Sequence, residues 1–499
     1  MTTASPSGSQ LRYHDLDALR GVAMLLGVVL HASLSFFPGF WPVKDDTATF
    51  DGPYDEILHA IHGFRMPLFF LLSGFFTTML WRQRGLSGLV AQRAKRVALP
   101  LALAMVTIVP LVGWVSDDVI TDRADNLLIS SYVHNTSAVE SLLANGANPN
   151  EPRGGSGEAP LHAAALVGNA QIAELLIEAG ANPEALDDKG DSPLGWAFFA
   201  GSAAVADTLV AAGHPDFRPA GGDWDDIEGW GFGARELDQD VIRLDSWVAS
   251  FHHLWFLWFV LWLAAGFVTV AALAGRSEGE STTASWSGRL MWLLIPLTLL
   301  PQYLMGERGA APVFGPDTST GLVPLWHVLA YYALFFAFGA LAYGRHNRAG
   351  TPVIEAAGRG SMFILPVTFL VVFPVALVLT FESHGWLTAS VAQVIYTWAM
   401  IFGLLGAFRA VLATPRRGVR YLSDSSYWIY LVHVPLVIWI QAQISGWNLP
   451  SGVKFVGLNV SVVAVSLLTY QLCVRYTPIG TMLNGKRVRP PRRTSTSVS

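Results

Sequence analysis

Charge is scarce in this chain. Only 14% of its 499 residues are Asp, Glu, Lys or Arg, against about 25% in soluble domains. Apolar side chains make up 52%, and mean hydropathy is +0.41. A chain so poor in charge, with many long apolar runs, is an integral membrane protein. Cysteine is nearly absent: Cys473 stands alone. That excludes an intrachain disulfide framework and any thiolate-rich metal site. No P-loop, dinucleotide Gly fingerprint, Gly-x-Ser-x-Gly or His-Glu-x-x-His occurs, so neither nucleotide hydrolysis nor a serine-hydrolase triad is indicated. No basic, aromatic-laced surface points to nucleic acid. A cleavable signal pattern is also missing. Asp15 and Asp17 precede the first apolar run, which is too long for a signal core and reads as a retained span.

What is present is a series of apolar helical runs at 16–36, 57–81, 97–115, 253–274, 290–305, 322–343, 361–381, 387–411, 425–445 and 453–474. They predict an all-α fold, a polytopic membrane bundle of about ten transmembrane helices. The fifth run is short and ends near Pro301. The 18 Trp and 28 Phe suit interfacial aromatic belts and a packed bundle. Positive charge sets the orientation. Arg82, Arg84, Arg93, Lys95 and Arg96 crowd the second connection, and Arg409, Arg416, Arg417 and Arg420 the eighth. Both termini are therefore expected in the cytoplasm, with the protein in the cell (inner) membrane and the bilayer as its first partner.

About 85 residues of a different character interrupt the bundle. Ala159-Pro160-Leu161-His162-Ala163-Ala164-Ala165 recurs as Ser192-Pro193-Leu194-Gly195-Trp196-Ala197, and Gly146-Ala147-Asn148-Pro149 recurs as Gly180-Ala181-Asn182-Pro183. The period of 33 or 34 marks a solenoid, and the Pro-Leu-His-x-Ala core resembles ankyrin repeats. That resemblance implies an inserted helical stack that binds a protein partner, and the span count puts it outside the cytoplasm. The expected organisation is membrane domain 11–130, ankyrin insertion 132–215, linker 216–245, membrane domain 246–480 and a disordered basic tail 481–499.

Several polar residues sit where a membrane segment holds them only at a cost. Arg20 and His31 are eleven residues apart in the first run. Eleven steps of about 100° bring them to one helix face, about 16 Å apart along the axis. A neutral imidazole there is a candidate general base, and Asp17, one turn before Arg20, is a candidate partner for it. An interfacial Arg and a structural His satisfy the same spacing. Arg93 and Arg96 present two guanidinium forks suited to phosphate, although positive-inside charge explains them equally simply. His59, His62 and Arg65 stack along one face of the second run, and Ser73-Gly74 follows with room for close helix approach. His253, Tyr427 and His433 complete the candidates. His31, His59, His62, His252, His253, His327 and His433 fall in or at the ends of spans, as an outward polar chamber would collect them. Zinc is disfavoured because neither carboxylate nor Cys joins His59 and His62 at ligand spacing; no metal and no bound cofactor is expected.

Asp15-Leu16-Asp17-Ala18-Leu19-Arg20-Gly21-Val22-Ala23 through His31, with Pro67-Leu68-Phe69-Phe70-Leu71-Leu72-Ser73-Gly74-Phe75, resembles the membrane acyltransferase-3 family. Arg93-Ala94-Lys95-Arg96 looks like its Arg-x-x-Arg motif, and Ser426-Tyr427-Trp428-Ile429-Tyr430-Leu431-Val432-His433-Val434-Pro435 like its late-helix signature. Phe64-Arg65-Met66-Pro67 and His253-Leu254-Trp255-Phe256-Leu257 are similar to the branch that modifies periplasmic glucans. The resemblance implies transfer of an acyl group, acetyl or succinyl, from cytosolic acyl-CoA as co-substrate to a hydroxyl of an extracytoplasmic glycan. It implies His31 as the catalytic residue with Arg20. Arg93 and Arg96 become donor contacts, and Arg65, Ser73, His253, Tyr427 and His433 further substrate-binding candidates. The residues alone leave open a transporter of a polar solute and an ankyrin-bearing membrane scaffold.

Overall fold

The structure is a computed structural model that describes residues 13–37, 41–49, 52–122, 126–132, 134–152, 157–187, 190–200, 202–215, 251–273, 284–308, 314–347, 349–381, 385–414, 416–485 and 487. The linker expected at 216–245 and most of the basic tail lie outside these residues. Among the described residues the fold is helical, without strands. The first membrane part holds α1 (His14–Ser33), α2 (Tyr54–Arg93) and α3 (Leu99–Asp122). The insertion holds α4 (Leu127–Tyr132), α5 (Thr136–Ala144), α6 (Pro160–Val167), α7 (Ala170–Glu178), α8 (Pro193–Ala200) and α9 (Ala203–Ala211). The second membrane part begins with α10 (Trp255–Leu273), α11 (Ala284–Leu297), α12 (Leu299–Arg308) and α13 (Trp326–Ala342). It continues with α14 (Val353–Ala357), α15 (Ser361–Val367), α16 (Phe373–Phe381), α17 (Trp386–Leu412), α18 (Arg417–Ile444), α19 (Ser451–Thr469) and α20 (Pro478–Asn484).

Among the described residues, seven helical stretches are long and apolar enough to cross a bilayer: His14–Ser33, Tyr54–Ser116, His252–Leu273, Ser361–Phe381, Trp386–Leu412, Arg417–Ile444 and Ser451–Val474. The second, at 63 residues, contains both the second and third expected spans. Two shorter apolar helices, Met291–Met305 and Trp326–Ala342, match the fifth and sixth. Pro301 acts earlier than expected. The helix breaks at Thr298, between α11 and α12, because a proline ring excludes the carbonyl four residues before it. Pro301 itself sits in the first turn of α12, where no intrahelical donor is needed.

Two backbone features shape the first membrane part. Gly85 takes φ 70° and ψ −178° inside α2, a conformation that L side chains resist, and it redirects the last turns. A π-helical segment, Ala94–Ala98, then joins α2 to α3. Close packing holds the middle: a Cβ at Gly74 would strike the Phe336 carbonyl, and one at Gly339 the Leu71 carbonyl. Backbone contact between α2 and α13 therefore rests on two glycines, as the Ser73-Gly74 pair predicts.

The insertion is three stacked helix pairs. Its core is Val139, Leu161, Ile172, Leu176, Leu194, Val205 and Leu209, all buried. The stack starts at α4 rather than at 132, since Leu127, Leu128 and Tyr132 are buried in it. Asn126 opens that helix by accepting from the Leu128 and Ile129 amides (2.9 and 3.3 Å), a cap with no counterpart in the Pro-Leu-His repeat. His162 explains the motif. Its Nδ1 accepts from the Ala159 amide at 3.1 Å and its Nε2 donates to the Asp191 carbonyl at 3.1 Å. The degenerate copy reverses the cap, with Ser192 Oγ accepting from the Gly195 amide at 3.2 Å.

Candidate active site

The candidate catalytic and substrate-binding residues gather in two neighbouring places. The first is a cavity of about 580 Å³ that includes Arg20, Ser73, Arg93, Arg96 and Tyr427 in its walls. Arg20 is 3.5 Å from Asp17, as the one-turn spacing predicts, and lies over the Phe76 ring at 5.8 Å. Arg93 donates to Thr77 Oγ1, while its Nε is buried with no partner. The connection expected to hold the two arginines is itself helical. Arg93 ends α2 and Arg96 lies in the π segment, where the wider turn re-aims side chains. Tyr427 donates to the Arg96 carbonyl at 2.9 Å, which ties α18 to that segment.

The cavity becomes apolar toward Met24 on α1 and Phe69 on α2. Gly27 lies three residues beyond Met24, and Arg65 four residues beyond Phe69 on its antiparallel neighbour, each about 5 Å further along its axis. These two meet, for a Cβ at Gly27 would collide with Arg65 Nη1. Only glycine leaves that space. The cavity therefore points at Arg65 and the second group.

That second group is a histidine cluster. His433 Nδ1 is 2.8 Å from the Tyr430 carbonyl. Carbonyls only accept, so Nδ1 carries the proton and Nε2 of the neutral ring keeps its lone pair. His31 Nδ1 faces two acceptors: that lone pair at 3.1 Å and the Gly27 carbonyl at 2.8 Å. It too is protonated, which leaves His31 Nε2 as the free base. His253 packs on the far side of His433, ring centres 5.3 Å apart. Its Nε2 donates to the Leu431 carbonyl at 3.3 Å and its Nδ1 has no partner. Tyr430 donates to the His253 carbonyl at 2.8 Å. Arg65 has a buried, unpartnered Nε, and its electrostatic neighbours are the hydroxyls of Tyr430 and Tyr332. Among the described residues no carboxylate pairs with this guanidinium, a costly arrangement in a membrane bundle that makes Arg65 a candidate functional residue.

Three of the seven expected histidines converge. His59 lies instead between Phe314 and Phe381, ring centres 6.0 and 5.0 Å away, and His62 lies against Gly315. Among the described residues no group of three or more His, Cys, Asp or Glu is arranged to hold a metal ion. Two polar residues escape the sequence reading. Trp41 stacks near His31, and Gln441 donates to the Ala32 carbonyl at 3.2 Å. A lone amide inside an apolar span was the available signal for Gln441; Trp41 carried none.

A family model described as "Acyltransferase domain" matches residues 13–150 and 196–471. The chain belongs to the acyltransferase-3 family. The gap between the two matched blocks lies inside the insertion, where a model of three ankyrin repeats matches 127–218. Curated relatives include "Glucans biosynthesis protein C" of Salmonella paratyphi B, of Salmonella heidelberg and of Salmonella agona, each 35% identical over 101 residues. The match covers 20% of this chain and 24% of each relative, so the chain spans about a quarter of their length. The chain is thus a multi-pass membrane member of the acyltransferase-3 family that carries ankyrin repeats.

Proposed function

We propose that this acyltransferase moves an acetyl or succinyl group from cytosolic acyl-CoA to a hydroxyl of an extracytoplasmic glycan, in the cell (inner) membrane and with both termini cytoplasmic. One observation carries the reading: the hydrogen bonds around His31 leave its Nε2 lone pair free, and the arginine-walled cavity reaches Met24 and Phe69, about one helical turn from the Gly27–Arg65 contact. Arg20, Arg93 and Arg96 hold the donor phosphates. The pantetheine arm passes Met24 and Phe69, and the thioester carbonyl comes to rest near Arg65. His31 Nε2 takes the acceptor hydroxyl proton as that oxygen bonds to the thioester carbon. Arg65 balances charge on the carbonyl oxygen. When the carbon–sulfur bond breaks, the departing thiolate recovers the proton from the His31 imidazolium. His433 fixes the tautomer of His31 throughout.

The test is CoA release from proteoliposomes on addition of glycan, with mass spectrometry of the glycan. His31→Ala should reduce transfer by at least about 100-fold. A correctly inserted His31→Ala protein that transfers at the normal rate overturns the assignment. Solute uptake without any CoA favours transport instead.

A further inference from the structure

The loop after α1 is anchored far more heavily than a short connection requires. Lys44 donates to the Leu34 and Phe37 carbonyls, both at 2.8 Å. Asp45 receives Lys454 at 2.6 Å with both side chains buried. Its Oδ1 also accepts from the Thr47 amide and hydroxyl, at 2.9 and 2.6 Å, and Lys454 donates again to the Ser445 carbonyl at 3.1 Å. Buried ion pairs persist where such bonds satisfy them, and they specify one arrangement. What this arrangement fixes is Trp41. Its indole lies 5.8 Å from the His31 ring, inclined by 32°. Its Nε1 donates to Gln441 Oε1 at 2.7 Å. Gln441 in turn donates to the carbonyls of Ala32 and His31, at 3.2 and 3.4 Å. Along α1 this contact lies beyond His31 from Met24, on the side opposite the arginine cavity, and Trp41 is only half-buried.

From this we propose that Trp41 is the acceptor platform: a pyranose ring of the glycan stacks on its indole, which presents one hydroxyl to His31. The proposal rests on the acyl-transfer reading for its acceptor class and extends it to a named contact. The C–H face of a sugar is weakly positive and the face of an aromatic ring negative, and indole offers the largest such face. A pre-fixed aromatic loses little conformational freedom on binding. Gln441 is a positioning residue that holds the indole in plane.

The experiment measures binding of a neutral gluco-oligosaccharide to the full-length protein in nanodiscs, beside transfer to the sugar and to water. Trp41→Ala should weaken oligosaccharide binding about tenfold or more, Trp41→Phe should restore most of it, and the KM for acyl-CoA should stay constant. Transfer to water should survive in Trp41→Ala while transfer to the sugar falls. Unchanged oligosaccharide binding in Trp41→Ala overturns the platform, as does an equal loss toward sugar and water, which would mean that Trp41 merely braces His31. Trp41-dependent sugar binding by a wild-type protein that releases no CoA would support the platform and sink the acyl-transfer reading. Acyl transfer indifferent to Trp41 would do the reverse.

Discussion

The ankyrin insertion and the membrane bundle treat buried polar groups in opposite ways. In the insertion nearly every such group is spent on the fold. Asn135 and Asn169 cap helices through the Ala138 and Ile172 amides, Trp196 donates to Asp187 at 3.0 Å, and buried Tyr132 donates to Glu158. Ser202 is the one buried side chain there left without a partner among the described residues. In the bundle, Arg65, Arg93 and His253 each keep a buried atom unpartnered, although unsatisfied groups cost more in an apolar medium. Arg93 lines the cavity, and Arg65 and His253 belong to the neighbouring histidine group, so these unspent polar atoms fall at the candidate site. The contrast is what the proposed function requires, with chemistry in the bundle and an accessory role for the repeats.

The largest expected effect falls on the residue that most clearly violates packing economy. Arg65→Met removes the guanidinium and keeps an apolar side chain of similar length. Loss of one charge-stabilising donor lowers kcat by about 10² to 10³. Because the contact acts on the developing oxyanion, KM for acyl-CoA should change little. Equal changes in KM and kcat/KM, with kcat intact, would reassign Arg65 to binding. Next comes the double reversal Arg93→Glu with Arg96→Glu. Charged hydrogen bonds contribute about 1.5–3 kcal/mol each, so affinity for CoA should fall by about 100-fold, with His31 chemistry untouched at saturating donor. Unaltered CoA affinity removes the arginine cavity from the donor path.

Much of this was legible in advance because membrane and solenoid periodicities are strong local signals. The ten spans, the Asp17–Arg20 pair and the Gly74 contact all follow from spacing. So does the stack, apart from α4, whose Asn126 cap breaks the repeat pattern. The π segment was not legible, because nothing in Ala94–Ala98 distinguishes a π turn from an α turn, so Arg93 and Arg96 read as part of a connection. The partition of the candidate residues was also hidden. Helical phase puts Arg20 and His31 on one face, yet only the tertiary meeting of Gly27 with Arg65 separates the cavity from the histidine cluster. Tyr427 and Ser73, substrate-binding candidates by sequence like Arg65, line the cavity instead.

A smaller effect tests the other side of the contrast. Deleting the repeats at 127–215 and closing the gap with a flexible linker should leave CoA affinity and transfer rate within about threefold of the intact protein, because no residue of the cavity or the cluster comes from them. A partner captured through the repeats would be lost. Transfer that collapses in a correctly inserted deletion protein would show that the repeats supply part of the site, and the contrast would fail.

The smallest effect concerns pH and the repeats alone. Burial holds the His162 imidazole below its ordinary range, against the opposing pull of the Asp191 carbonyl and the Asp187 carboxylate. The geometry gives the same direction: Nδ1 accepts the Ala159 amide, and a proton placed there would meet that N–H head-on. The folded repeats therefore bind the neutral ring, whereas the unfolded chain protonates near pH 6.5. The unfolded state then holds more protons as pH falls through that value, so the stability that the neutral ring contributes is present above about pH 6.5 and is lost below it. Amide exchange protection across α6, corrected for the intrinsic rate, should drop between pH 7.5 and 5.5, and His162→Leu should abolish that dependence while lowering protection at every pH. The histidine cluster of the bundle supplies the control, since changes there leave α6 protection unmoved. Protection of α6 that is indifferent to pH would mean that the His162 cap tolerates charge, and the repeats would then share with the bundle the very reserve that separates the two.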